Sequence, residues 1–181
     1  MTGGDITRAD HIPRDELAHI LAALTPANRL ALEVSLATGL RIGDVLALKT
    51  AKLAQRVTVR EQKTGKSRRV YFPGDLLPRM QALAGRIWVF EGRLDYRRHR
   101  TPSAVYKDLR RAARLWRLPK DLHLSPHSAR KAYAVSEYQR TGSLKHVQEL
   151  LNHDNEAVTM LYAMADVLTA RKLGKSQKGG S

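Results

Sequence analysis

The sequence predicts a mainly α-helical domain carrying one small antiparallel β-hairpin sheet, an α+β class in which helices dominate. Three observations predict it. Most of the chain repeats apolar residues at helical spacing, and one stretch between Gln55 and Phe72 alternates polar and apolar residues around Gly65. The 181 residues are 43% hydrophobic, enough to bury a single core and too apolar for wholesale disorder.

The elements follow in order. Pro13 with Asp15 and Glu16 opens a first helix through ELAHILAAL, since proline suits the first turn and acids favour the positive helix N-terminus. ANRLALEVSLAT forms a second, with Leu30, Leu32, Val34 and Leu36 dense enough to be buried on most sides, and it stops at Gly39. A short third helix starts at Gly43-Asp44-Val45-Leu46. The period then changes: QRVTVREQ and SRRVYF are strands of a hairpin whose turn is Lys63-Thr64-Gly65-Lys66. LLPRMQALA reads as a helix interrupted at Pro78, IWVFEG as a short strand and DYRRHRTPS as a loop. From Ser103 a helix places Val105, Leu109, Ala112 and Trp116 on one stripe and Lys107, Arg110, Arg114 and Arg117 on another. A further helix runs from about Pro126 to Thr141-Gly142. Two short ones, SLKHVQELL and NEAVTMLYAM, then flank Asn152-His153-Asp154. The chain thus divides into a flexible segment 1–10, one domain over 11–172 and a disordered tail 173–181.

Charge narrows the function. Thirty-two Lys and Arg against 17 Asp and Glu leave a formal +15, which favours a polyanionic partner, nucleic acid first and an anionic membrane surface second. The excess is segregated. Residues 49–69 hold eight basic side chains and a single acid, Glu61; residues 93–117 hold nine against Asp95 and Asp108. Two DNA-backbone contact regions explain this better than two solvated faces, and Lys66, Arg68, Lys107, Arg110, Arg114 and Arg117 are the candidate contacts. With no cysteine, disulfide scaffolds, thiol nucleophiles and Cys-based metal sites are excluded. No apolar run approaches the ~18 residues of a membrane span, and MTGGDITRAD is no signal peptide. What remains is an intracellular, soluble, basic protein, for which a cytoplasmic location and no cofactor are expected. His123 and His127 are four apart, but Pro126 breaks their helical facing and no acid follows, so no metal site is expected.

Several residues are placed for chemistry. Arg41 lies at a junction between two apolar segments, where a buried guanidinium needs an anionic partner; Asp44, three residues on, offers one. His127 and Arg130 share one side of a helix near its N-terminus, an anion site to which backbone N–H groups add. His153 sits in the Asn-His-Asp joint, and Tyr162 follows nine residues later.

Together these residues resemble the tyrosine recombinase (phage integrase) catalytic signature. It comprises Arg41 within ATGLRIGD, Lys63 within EQKTGK, His127 and Arg130 within LSPHSARK, His153 within LLNHD and Tyr162 within MLYAM. The resemblance covers about residues 11–166, and six elements in order carry it. It implies a mostly helical catalytic domain with a small hairpin sheet, and a metal- and ATP-independent DNA strand transesterase. Tyr162 would attack the scissile phosphate to give a 3′-phosphotyrosyl intermediate and a free 5′-hydroxyl. Arg41 and Arg130 would hold the non-bridging oxygens. His127 and His153 would donate hydrogen bonds or move protons, Lys63 at a mobile hairpin tip would protonate the departing 5′-oxygen, and Asp44 would orient Arg41 or accept a proton.

The resemblance also implies self-association on DNA as dimer or tetramer, in recombination or integration by a phage or mobile element. Recombinases of this type carry an N-terminal DNA-clamping domain, whereas about ten residues precede the pattern here. Ala129 and Asn152 are smaller departures. The alternatives are a type IB topoisomerase-like relaxing enzyme, a non-catalytic DNA-binding module of the same fold, and a basic helical RNA-binding protein, which leaves Arg41 unexplained.

Overall fold

Helix α2 (Pro26–Thr38) is the axis on which the domain is assembled, and its sequence explains why. Ala27, Leu30, Ala31, Leu32, Val34 and Leu36 are buried around most of its circumference, leaving only the face with Arg29 and Glu33 toward solvent, so it must be covered on most sides. The computed structural model describes residues 14–118 and 124–151. Within them α2 packs against α1 (Arg14–Ala22), α3 (Ile42–Leu46), α4 (Leu76–Leu83) and α6 (Pro126–Thr141). Helix α5 (Pro102–Leu115) covers α1 and α6, and α7 (Leu144–Leu151) lies against α6. A two-stranded antiparallel sheet, β1 (Arg56–Arg60) and β2 (Ser67–Tyr71), completes the architecture, as the period change in the sequence predicts. Among the described residues no helix is long and apolar enough to cross a membrane.

The hairpin is amphipathic in register. Val57 pairs with Val70 and Val59 with Arg68, so these four face the core, while Arg56, Thr58, Arg60, Ser67, Arg69 and Tyr71 face out. Gly65 takes the left-handed conformation (φ 68°) that closes the turn.

Three expectations are corrected. Pro78 does not interrupt α4: it is the third residue of the helix, where its missing N–H has no intrahelical acceptor to lose. IWVFEG is no strand; Trp88 and Glu91 make single antiparallel bridges, to Lys49 and His99, each held by one pair of backbone hydrogen bonds that no further ladder continues. Trp116 leaves the core stripe of α5 and is 51% exposed, since the helix ends at Leu115 and Arg117 turns the chain with φ 50°.

One acid fastens α5 to the start of α2. The Asp108 carboxylate accepts from the Thr25 backbone N–H at 2.9 Å, the Thr25 hydroxyl at 2.8 Å and Asn28 Nδ2 at 2.9 Å on one oxygen. Arg111 donates to the other at 2.8 Å and 3.0 Å. Burial alone would raise its pKa; the hydrogen bonds from Asn28, Thr25 and Arg111 outweigh that and lower it to about 2.

Candidate active site

The C-terminus of α2 gathers the site. An α-helix ends with carbonyls that have no intrahelical donor and with a negative dipole end. Here each successive carbonyl is taken by a different side chain. Arg68 Nη2 donates to Thr38 O at 2.6 Å, Arg130 Nη1 donates to Gly39 O, and Ser35 Oγ donates to Leu40 O at 2.7 Å. The next residue, Arg41, stands in extended conformation as the N-cap of α3, its carbonyl accepting from the Asp44 and Val45 amides. Two arginines distant in sequence are thus drawn to the same helix end, and a third follows it directly.

Gly39 makes that turn possible. It adopts φ 68°, and a Cβ there would lie 2.4 Å from the Tyr133 ring, so glycine is required by backbone conformation and by the approach of α6.

Arg41 is buried, and its Nη1 donates to Glu61 Oε2 at 2.7 Å, a partner on the hairpin that is itself 1% exposed. The expected pairing of Arg41 with Asp44 gives way to this one. Asp44 instead accepts the Gln62 backbone N–H on Oδ1 at 2.9 Å. Burial pushes the Asp44 carboxyl above its usual range and neighbouring Glu61 adds to the rise, against the Gln62 amide, Arg41 and Arg130. Its Oδ2 is a buried acceptor with no partner among the described residues.

Arg130 is fully buried, reaching Leu151 O at 3.0 Å as well as Gly39 O. It therefore bridges α2 to the end of α7. His127 lies one turn earlier on α6, half-buried, its backbone N–H donating to the Ser125 hydroxyl at 3.2 Å within the capping box that Ser125 and Ser128 form. Lys63 and Lys66 are both exposed in the hairpin turn. That turn is anchored rather than free-standing, through Glu61 on Arg41 and Gln62 on Asp44. His153 and Tyr162 lie outside the described residues.

Arg68 departs from its expected place among exposed contacts. It points inward from β2, half-buried, where burial and then the nearby Arg130 charge lower its pKa, countered by Glu61 and Tyr133. Lys107, Arg110, Arg114 and Arg117 do form an exposed row on and just beyond α5. Sequence reasoning missed Glu61 and Tyr133. The signal for Glu61 was present: it is the one acid in the basic stretch 49–69. An open cleft of about 210 Å³ lies beside the cluster, running from Asp44 and Gln62 past Lys49, Lys52 and Arg60. Among the described residues no group of His, Asp and Glu could hold a metal ion.

The arrangement gathers three guanidiniums and two carboxylates at one helix end, Arg41, Arg130, Asp44 and Glu61 buried and Arg68 half-buried, with a lysine-bearing turn tied to it. A profile of the Phage integrase family matches residues 11–168, and the chain belongs to that family. A tyrosine recombinase of Thermosipho africanus is 28% identical over 164 residues, 84% of this chain and 56% of that protein. The integrase of Escherichia phage P2 is 28% identical over 154 residues, 84% of this chain and 42% of its own length. The chain thus spans about half the length of these curated relatives. Its fold is that of a lambda integrase (residues 75–356) dimer bound to a COC′ core site, with TM-score 0.70 and 22% identity, covering 88% of this chain and 60% of the other.

Proposed function

We propose that this domain cleaves and rejoins DNA strands by transesterification, as the catalytic part of a site-specific recombinase or integrase. The observation that carries the reading is the convergence of Arg41 and Arg130 on one helix end, Arg130 bonding Gly39 from 91 residues away in sequence. A single buried guanidinium has structural uses. Two beside a third, joined to a lysine-bearing hairpin, are suited to the non-bridging oxygens of a phosphodiester and to the extra charge of its pentacoordinate transition state.

Tyr162 Oη is the nucleophile in this reading. It forms the new P–O bond as the P–O5′ bond breaks, so the bond energy is kept in a phosphotyrosine and religation needs no ATP. The phenol, with an ordinary pKa of about 10, loses its proton to a neighbouring base, for which Asp44, His127 and His153 are candidates. Lys63 gives its proton to the departing 5′-oxygen, and Arg41 and Arg130 hold the phosphate throughout. Lys66, Lys107, Arg110, Arg114 and Arg117 contact the DNA backbone, with Arg68 set behind the clamp. The partner is double-stranded DNA, on which copies of the chain associate, placing the protein at the nucleoid of a prokaryotic host. The support comes from the family, from relatives named as recombinases and integrases, and from similar structures described as dimers and tetramers on DNA.

The test is a metal-free incubation with a nicked suicide duplex. A denaturant-resistant protein–DNA adduct is expected, lost in Tyr162→Phe, which keeps the ring and removes only the hydroxyl. An adduct that persists in Tyr162→Phe, or that EDTA abolishes, overturns the proposal. A requirement for paired sites in forming joined product separates strand exchange from topoisomerase-like relaxation.

A further inference from the structure

The hairpin turn closes on a single residue. The Glu61 backbone N–H donates to Lys66 O at 2.9 Å, and its carbonyl accepts from Gly65 N–H at 2.9 Å. The Glu61 carboxylate then binds in two directions at once, Oε2 accepting from Arg41 Nη1 at 2.7 Å and from the Thr64 hydroxyl at 3.1 Å. The Thr64 hydroxyl oxygen in turn accepts the Lys66 N–H at 3.3 Å. On the other side of Lys63, Gln62 is fixed to Asp44 Oδ1 through its backbone and to Gly43 O through its side chain at 3.4 Å. Lys63 is therefore the exposed residue between two anchored neighbours, and both anchors lead back to α3 and its cap Arg41.

Neutralising a buried arginine needs only a carboxylate. It does not need that carboxylate to hold the turn as well. A charge-assisted bond from Arg41 and a neutral one from Thr64 on the same oxygen make the position of the turn depend on the position of the guanidinium. We infer that Glu61 is a positioning residue that sets Arg41 and the Lys63-bearing turn as one unit, so the phosphate clamp and the proton donor stand in fixed relation before DNA arrives. The inference deepens the proposed reaction and rests on the roles given there to Arg41 and Lys63.

The test uses the whole chain with Glu61→Gln, Thr64→Val and Arg41→Met, and two readouts. The first needs no DNA: amide hydrogen exchange at Gly65 is expected to accelerate about tenfold or more in all three variants, including Arg41→Met, which changes no residue of the hairpin. The second is single-turnover cleavage of a suicide duplex with oxygen or sulfur at the bridging 5′ position. Glu61→Gln should slow the oxygen substrate about a hundredfold, the order of loss a ~1 Å misplacement causes, and sulfur should restore at least about tenfold of it, because a thiolate leaves without a proton. Gly65 exchange unchanged in Arg41→Met and Thr64→Val overturns the inference, and so does a cleavage defect in Glu61→Gln that sulfur leaves untouched. Should wild-type protein form no adduct at all, the reaction proposed above fails and the exchange arm still decides the coupling. Should Glu61→Gln not fold, Thr64→Val carries both readouts with the ion pair left in place.

Discussion

Two groups of arginines occupy opposite physical situations in this molecule. Around the end of α2, Arg41, Arg68 and Arg130 are enclosed or half-enclosed and hold fixed partners, namely carbonyl oxygens and a carboxylate. Along α5, Arg110 and Arg114, with Lys107 and Arg117, are exposed to solvent. The difference teaches what each group can do. Enclosed cations have given up hydration and rotamer freedom on folding, so they meet one geometry strongly and salt screens them little. Exposed cations keep both, so they attract any phosphate backbone and weaken as salt rises.

The predictions probe that contrast. The largest effect belongs to the lysine tied to the enclosed group. Lys63→Ala should slow cleavage of ordinary DNA by about two to four orders of magnitude, and a 5′-bridging sulfur should restore most of it. If Lys66→Ala shows that rescue instead, the proton donor is the wrong lysine of the turn. Next comes Arg130→Lys, which keeps a charge but cannot reach both Gly39 and Leu151. Single-turnover cleavage should fall about 10²- to 10³-fold, with no sulfur rescue and no change in the salt dependence of DNA binding. A changed salt slope would merge the two groups into one.

Asp108 sharpens the comparison from the other side, since it anchors the helix that carries the exposed row. Its pKa is depressed in the folded state, so its stabilisation is fully present above the unfolded value near 3.8 and is lost as pH falls toward about 2. Asp108→Asn should cost about 2 kcal/mol at neutral pH in urea unfolding, a difference that disappears by about pH 2. An unchanged midpoint would show the network to be ornamental. The smallest effect is on the exposed row itself: Arg110→Ala with Arg114→Ala should flatten the slope of log K against log[salt] by about two and weaken all sequences alike. Weakening confined to one sequence would turn these residues from backbone contacts into base readers.

What the sequence disclosed and what it withheld follow from range. The helices among the described residues and the hairpin were legible because capping, periodicity and Gly39 or Gly65 act within a few residues; the expected helix NEAVTMLYAM lies outside those residues. Arg41 and Arg130 were legible as candidates because an arginine at an apolar junction, or beside a histidine at a helix start, stands out locally. Pairing was not legible. Nothing local distinguishes Asp44 from Glu61 as the partner of Arg41, since that choice is made when the hairpin folds back on α3. Arg68 looked like its exposed neighbours because one position of strand register decides whether a side chain faces in or out. Trp116 was misplaced because a helical stripe carries no mark of where the helix stops.

The carbonyls at the end of α2 have a consequence for how the protein matures. Two of their donors, Arg68 and Arg130, come from 30 and 91 residues further along the chain, so the cluster cannot assemble from any local piece. A ribosome delivers α2 long before α6, and closing such loops is among the slower steps of folding. On the proposed function, a nascent or partly unfolded chain carries the basic surface for DNA yet lacks the geometry to break a strand. On that reading, competence to cut depends on long-range closure, a safeguard written into chain order rather than into any inhibitor.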